Sequence, residues 1–179
     1  ATYSGSPIPY SGIEVNLGYG GTDGPNYEET TASIVWGTTS AKSSASVIID
    51  YFKNTSLSSD EMGRLGTANQ SPYGGEDFRS SRGFPGYFYV DGVKTIDPAC
   101  PAENATSSGS CLFDYGPFGY IAPASERVGA ISQFEYRFDN GITGFLEMAV
   151  QHNSSVAAGA PTPLDEDAGL TVPGNHPNN

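Results

Sequence analysis

The stretch from Arg127 to His152 constrains the fold more than any other part of the chain. Val128, Ala130, Ser132, Phe134, Tyr136 and Phe138 alternate with Gly129, Ile131, Gln133, Glu135 and Arg137, so one side is mostly apolar and the other mostly polar. After Asp139-Asn140-Gly141 the alternation resumes, with Ile142, Gly144, Leu146, Met148 and Val150 on one side and Thr143, Phe145, Glu147, Ala149 and Gln151 on the other. Two strands meeting at a tight turn are predicted. Parity selects the turn: a two-residue Asn140-Gly141 connection sets Phe134 opposite Glu147 and puts a carboxylate in the apolar face. A three-residue loop, with Asp139 and Asn140 in a type I turn and Gly141 left-handed, sets Phe138 opposite Ile142 and Phe134 opposite Leu146. One continuous apolar face results. Each arm has the roughly 9 to 11 residues that a tilted strand needs to cross a bilayer, and the same arms also suit a hairpin of a soluble β-sandwich.

Other segments share this periodicity. Ile13, Val15, Leu17 and Tyr19 alternate with small or polar residues, as do Ala32, Ile34 and Trp36, and then Ala45, Val47, Ile49 and Tyr51. The expected fold class is all-β, an antiparallel meander of about five strands near 12–20, 27–38, 44–53, 127–138 and 142–152. Residues 1–9, broken by Pro7 and Pro9, carry no usable pattern. The connections 53–126 and 153–179 are far longer than ordinary loops, and connections of that length are usually functional or separately folded. Within the first, only Gly86 to Gly92 suggests a small strand and turn.

Link lengths alternate. The short connections, Gly37–Ser44 and Asp139–Gly141, fall at one end of the sheet, and the large ones leave from the other. That asymmetry, with Trp36, Tyr136 and Phe138 near the short-turn end and Tyr19, Tyr27 and Tyr51 near the other, is the pattern of an outer-membrane barrel wall with aromatic girdles. No apolar run approaches a membrane helix, so strands would have to do the crossing.

A formal charge of −12 with eight basic residues argues against nucleic acid as a partner. Cys100 and Cys111, the only cysteines, lie in a Pro/Ser/Gly-rich stretch, where a disulfide closing the loop and an oxidising compartment are expected. Arg79 and Arg82, beside Phe78 and Phe84, are the candidate clamp for an anionic ligand, with pairing to Glu76 or Asp77 as the alternative use of these cations. His152 near Ser154 has no third orienting group, so no catalysis is expected. Asp165-Glu166-Asp167 reads as a solvated acidic run rather than a Ca²⁺ site, so neither metal nor cofactor is expected. The three Asn-X-Ser/Thr sequons at Asn54, Asn104 and Asn153 read as polar loop residues. Glu135, Arg137, Glu147 and Gln151 form the polar side of the main hairpin.

The ordered set of motifs resembles TonB-dependent outer-membrane receptors over about residues 10–179. Tyr10-Ser11-Gly12-Ile13-Glu14-Val15-Asn16-Leu17-Gly18-Tyr19-Gly20 resembles the first barrel strand after the plug, and Ser33 to Gly37 and Val47 to Phe52 resemble the next two. Phe78 to Gly86, Asp97 to Cys100, Cys111 to Tyr115 and Ser125 to Gly129 are similar to the first large extracellular loop and its return. Leu170 to Pro173 with His176 to Asn179 resembles a later loop. The resemblance implies a barrel of about 22 strands, a plug domain, the TonB complex and outer-membrane lipid as partners, and energised uptake of a small-molecule ligand such as a ferric siderophore, a corrinoid or a carbohydrate. Neither plug nor TonB-contacting box occurs in this chain, and five strands cannot close a barrel, so a fragment is expected. A secreted soluble β-sandwich binding module and a plug-less porin are the alternatives. Taken alone, the five strands are expected to leave two open edges that recruit other chains.

Overall fold

A computed structural model describes residues 10–163 together with Gly169 and Asn175. Nine strands occur among them: β1 (Gly12–Gly21), β2 (Glu28–Thr39), β3 (Ser43–Asn54), β4 (Leu57–Ser58), β5 (Tyr87–Val90), β6 (Val93–Ile96), β7 (Tyr120–Ala122), β8 (Ala124–Arg137) and β9 (Thr143–Val156). The described residues are mostly antiparallel β. β1, β2, β3, β8 and β9 form one five-stranded sheet in that order, while β4 pairs with β7 and β5 with β6. The Asp165–Asp167 run and the motifs at 170–173 and 176–179 lie outside the described residues.

The chain divides into two compact units, one holding the sheet up to Leu57 and from Ala122 to Ala157, the other holding Ser58–Ile121. In the first, register follows parity. Phe134 faces Leu146 and Gln133 faces Glu147. Phe138 N donates to the Ile142 carbonyl at 2.8 Å, Gly141 N donates to Phe138 O at 3.1 Å, and Gly141 has φ +80°. The three-residue loop with a left-handed glycine is therefore the turn the sequence predicts. β8 begins at Ala124, four residues before the apolar alternation starts at Val128, and β9 runs on to Val156, because Ser125, Glu126 and Arg127 continue the ladder against Ser155, Ser154 and Asn153. Those rungs are polar on both sides, so they leave no periodic signal.

The second unit has little regular structure. Four 3₁₀ turns, at Asp60–Leu65, Ser71–Tyr73, Ala102–Asn104 and Gly116–Phe118, punctuate it. The β5–β6 hairpin turns through Asp91 and Gly92, both with positive φ, as the Asp-Gly pair demands of a two-residue turn. Its first strand and turn match the sequence expectation at 86–92; β6 was not expected. The disulfide between Cys100 and Cys111 is formed, with Cα atoms 5.9 Å apart. Phe113 packs beside it in sequence, its ring 4.7 Å from Tyr115 and 5.6 Å from Phe118. Gly83 lies so close to Phe113 that a Cβ there would come within 2.3 Å of the phenylalanine Cβ.

Candidate functional site

Two surfaces carry chemistry, one in each unit. In the sheet, following rungs across all five strands collects Val15, Ile34, Ile49, Ala130 and Val150 in one row. The next rows hold Leu17, Ala32, Tyr51, Val128 and His152 on one side and Ile13, Trp36, Val47, Ser132 and Met148 on the other. Because successive side chains alternate, all of these lie on one face. Beyond the Tyr51 row the apolar character ends at Lys53 and Glu126, which pair at 3.6 Å. Near the opposite end Tyr136 and Phe138 meet edge to face at 4.9 Å.

This face is not a core. Leu17 is 81% exposed and Val150 70%, and Ile34, Ile49, Phe134 and Leu146 are all exposed. Five strands about 4.8 Å apart and roughly 30 Å long present about 700 Å² of such surface, more than the largest apolar patch of an ordinary soluble monomer. The rise from Val128 to Phe138 is about 33 Å along the strand, which at a tilt of 35–45° is about 25 Å of height.

The other face of the sheet is mixed: one rung holds Val35, Ile48, Ile131 and Ala149, Phe52 and Phe145 lie elsewhere on it, and the rest is mostly polar. Glu14, Asn16, Ser33, Asp50, Gln133, Glu147 and Gln151 lie on it. Asn16 donates to Glu14 at 2.9 Å, and Gln133 donates to Glu147 at 3.0 Å. Arg127 stacks over the Phe52 ring at 4.4 Å. Gly129 sits beside Asp50, where a Cβ would approach the carboxylate to 2.9 Å. At the short-turn end, Lys42 pairs with Asp139 at 2.5 Å and Arg137 with Glu135 at 3.1 Å, beside a polar cleft of about 60 Å³ lined by Thr39, Ser40, Ser43 and Ser44 with Lys42, Glu135 and Arg137. That volume admits only a few water molecules. Asn54, which is buried, donates to the carbonyls of Thr55 at 2.8 Å and Pro123 at 2.9 Å, and so joins the end of β3 to the residue before β8.

In the second unit the sequence candidates separate. Arg79 forms a fork onto Asp77, with Nε to Oδ1 at 3.0 Å and Nη2 to Oδ2 at 2.9 Å, while Nη1 donates to Asn104 Oδ1 at 2.5 Å and Nη2 to the Glu103 carbonyl at 3.3 Å. Its side chain is only 12% exposed. Of the two uses foreseen for this cation, the pairing with Asp77 is the one observed. Hydrogen bonds from Arg79 hold the Asp77 carboxyl below its ordinary range, and Asp77 in turn raises the Arg79 guanidinium. Arg82 is exposed, and its amide donates to Ser80 Oγ at 3.0 Å.

Asp114 is the group that sequence reasoning missed. Its Oδ1 accepts from Ala68 N at 3.0 Å and Gly116 N at 2.9 Å, and its other oxygen accepts from the Thr67 hydroxyl. Burial pushes this carboxyl up, but those three bonds and the Arg79 charge outweigh it and leave it below the usual carboxylate range. Lys94 sits 3.8 Å over the Tyr87 ring and donates to the buried Ser110 hydroxyl at 2.5 Å. Hairpin parity would have found the strand that carries Lys94, while nothing local to Asp114 announces partners more than forty residues away. Comparison of the chain with protein-family models, with curated proteins and with solved structures finds no match to any of the three.

Proposed function

We propose that this chain is one wall of a TonB-dependent outer-membrane receptor, whose sheet faces lipid with its apolar side and a plug-filled lumen with its polar side. The Ser58–Ile121 unit is then an extracellular loop of a transporter that takes up a small-molecule ligand. The observation that carries the membrane part is the apolar face whose rows run across all five strands, about as tall as the hydrocarbon band of an outer-membrane barrel and bordered by aromatics, against an opposite face that is mostly polar outside the Val35–Ile48–Ile131–Ala149 rung. The receptor part rests on the motif resemblance from Tyr10 onward. A soluble sandwich would require a second sheet over this face, since an exposed patch of that size in water is an aggregation hazard.

Trp36, the sole tryptophan, lies on the apolar face and provides the test. In phosphatidylcholine vesicles its emission should be blue-shifted and quenched by lipids brominated along the acyl chain. A soluble monomer whose Trp36 emission ignores brominated lipid would sink the membrane reading. Uptake by the full-length protein that is independent of the TonB complex would sink the receptor reading and promote the porin.

A further inference from the structure

We propose that the Cys100–Cys111 disulfide is a redox-sensitive lock on Arg79: while the bridge is closed, the segment it ties down sequesters the guanidinium, and opening it releases Arg79 toward solvent and anionic ligands. The inference does not depend on the membrane reading.

Beyond Asp77, Arg79 donates hydrogen bonds to the Asn104 side chain and the Glu103 carbonyl, and the Asp114 charge also acts on it. Asn104 and Glu103 lie between the two cysteines, within a loop whose ends are eleven residues apart in sequence. Besides the bridge, that loop is held by Leu112 N donating to Asn104 O at 2.8 Å, by the pairing of Ala105 with Cys111 and by Lys94 donating to Ser110, while Phe113, two residues past Cys111, pairs with Ser80. Asp77, the remaining anchor, is two residues away and lies outside the bridged loop, its backbone paired with Asn69. The bridge is therefore placed to govern whether the guanidinium keeps its two distant hydrogen-bond partners. An arginine with five donors and one local carboxylate keeps donors to spare for an outside oxyanion, whereas one bonded to Asp77, Asn104 and Glu103 and 12% exposed offers almost none.

The chemistry balances with a dithiol such as dithiothreitol. Its thiolate attacks the half-buried Cys100 sulfur, the S–S bond breaks, and Cys111 leaves as a thiolate that takes up a proton. The reagent's second thiol then displaces Cys100, so the protein gains two electrons and two protons and the reagent becomes a cyclic disulfide. Cys111 is fully buried, which disfavours the departing thiolate, so reduction is expected to be slow.

The test is the rate of phenylglyoxal modification, read by peptide mass analysis of the chain in detergent before and after reduction. Arg79 should react at least fivefold faster in the reduced protein, while the exposed Arg64, in the same unit, changes by less than twofold. Asn104→Ala with the bridge intact should raise Arg79 reactivity part of the way. Inorganic phosphate should protect Arg79 in the reduced protein and not in the oxidised one, and Asp77→Asn should strengthen that protection. Equal Arg79 rates in the two redox states overturn the lock. So does a parallel rise at Arg64, which would mean that the unit merely unfolds on reduction.

Discussion

The sheet and the Ser58–Ile121 unit hold their shapes by different means. In the sheet, every residue of β3 and β8 takes part in a ladder, yet the strands contain no buried apolar side chain. In Ser58–Ile121 regular ladders are short, and order comes from single groups: one disulfide, the Asp114 carboxylate gathering three donors, the Arg79 fork, and the rings around Phe113. Cys111 is the one buried apolar residue among the described residues, and it belongs to this second unit. A sheet whose side chains are exposed on both faces takes its stability from backbone pairing and from whatever medium covers it. A loop with its own cross-links carries its constraints with it. Perturbing a face should therefore hurt the sheet only in the right medium, and perturbing a single hub should hurt the loop in any medium.

The sharpest way to break this comparison is to place a charge on the apolar face. In the full-length protein folded into vesicles, Ile49→Arg or Leu146→Arg should cost about 2 to 4 kcal/mol near the bilayer midplane. Gln133→Arg, on the polar face beside Glu147, should cost under about 0.5 kcal/mol, as surface substitutions do. Denaturant titration in lipid measures all three. If the face meets water, Ile49→Arg should also be nearly neutral, because Ile49 is already exposed. Equal costs at the three positions would remove the lipid-facing assignment.

A smaller effect is expected at the loop hub. Asp114→Asn removes the charge while keeping the shape, and should destabilise Ser58–Ile121 by about 1 kcal/mol without altering the sheet. The Asp114 carboxyl is held below its unfolded value, so its contribution is complete above the unfolded pKa of about 3.9 and is lost as pH falls through the lower folded value. Protection of the Ala68 and Gly116 amides, followed by hydrogen exchange, should therefore drop in strong acid in the native protein. In the Asn variant it should show no such acid step. A step of the same size in the variant would assign the acid loss to other carboxylates.

How far each region was legible in the sequence follows from the same contrast. Strand periodicity is a local signal, so the positions of β1, β2, β3, β8 and β9 could be read, and the parity of Phe134 and Leu146 fixed the register of the last two. Legibility failed at the strand ends, such as Ser125 against Ser155, where both faces are polar. It failed more widely in the loop. The cysteines could be paired because there are only two, but the Thr67–Asp114 and Lys94–Ser110 contacts join residues whose neighbours in sequence say nothing of each other. Arg79 and Arg82 look alike in sequence, yet the fork onto Asp77 and the bond to Asn104 that bury the first could not be read from it.

The smallest expected effect concerns Gly141, where the sheet depends on one backbone conformation. Its φ of +80° is a conformation that L side chains rarely adopt, and no atom lies within 4 Å of a Cβ added there, so Gly141→Ala introduces strain without a clash. The cost should be about 1 kcal/mol, and less for Gly141→Asn, which tolerates the left-handed region better. The register should survive, since a shift of one residue would carry Glu147 onto the apolar face across all of β9. Cysteines introduced by Phe134→Cys and Leu146→Cys should therefore still oxidise to a bridge in the Gly141→Ala background, because directly opposed strand residues lie about 4.5 to 5.5 Å apart. If that bridge fails while a Phe134→Cys, Glu147→Cys pair forms instead, the turn rather than the apolar face sets the register, and the sheet too depends on a single hub.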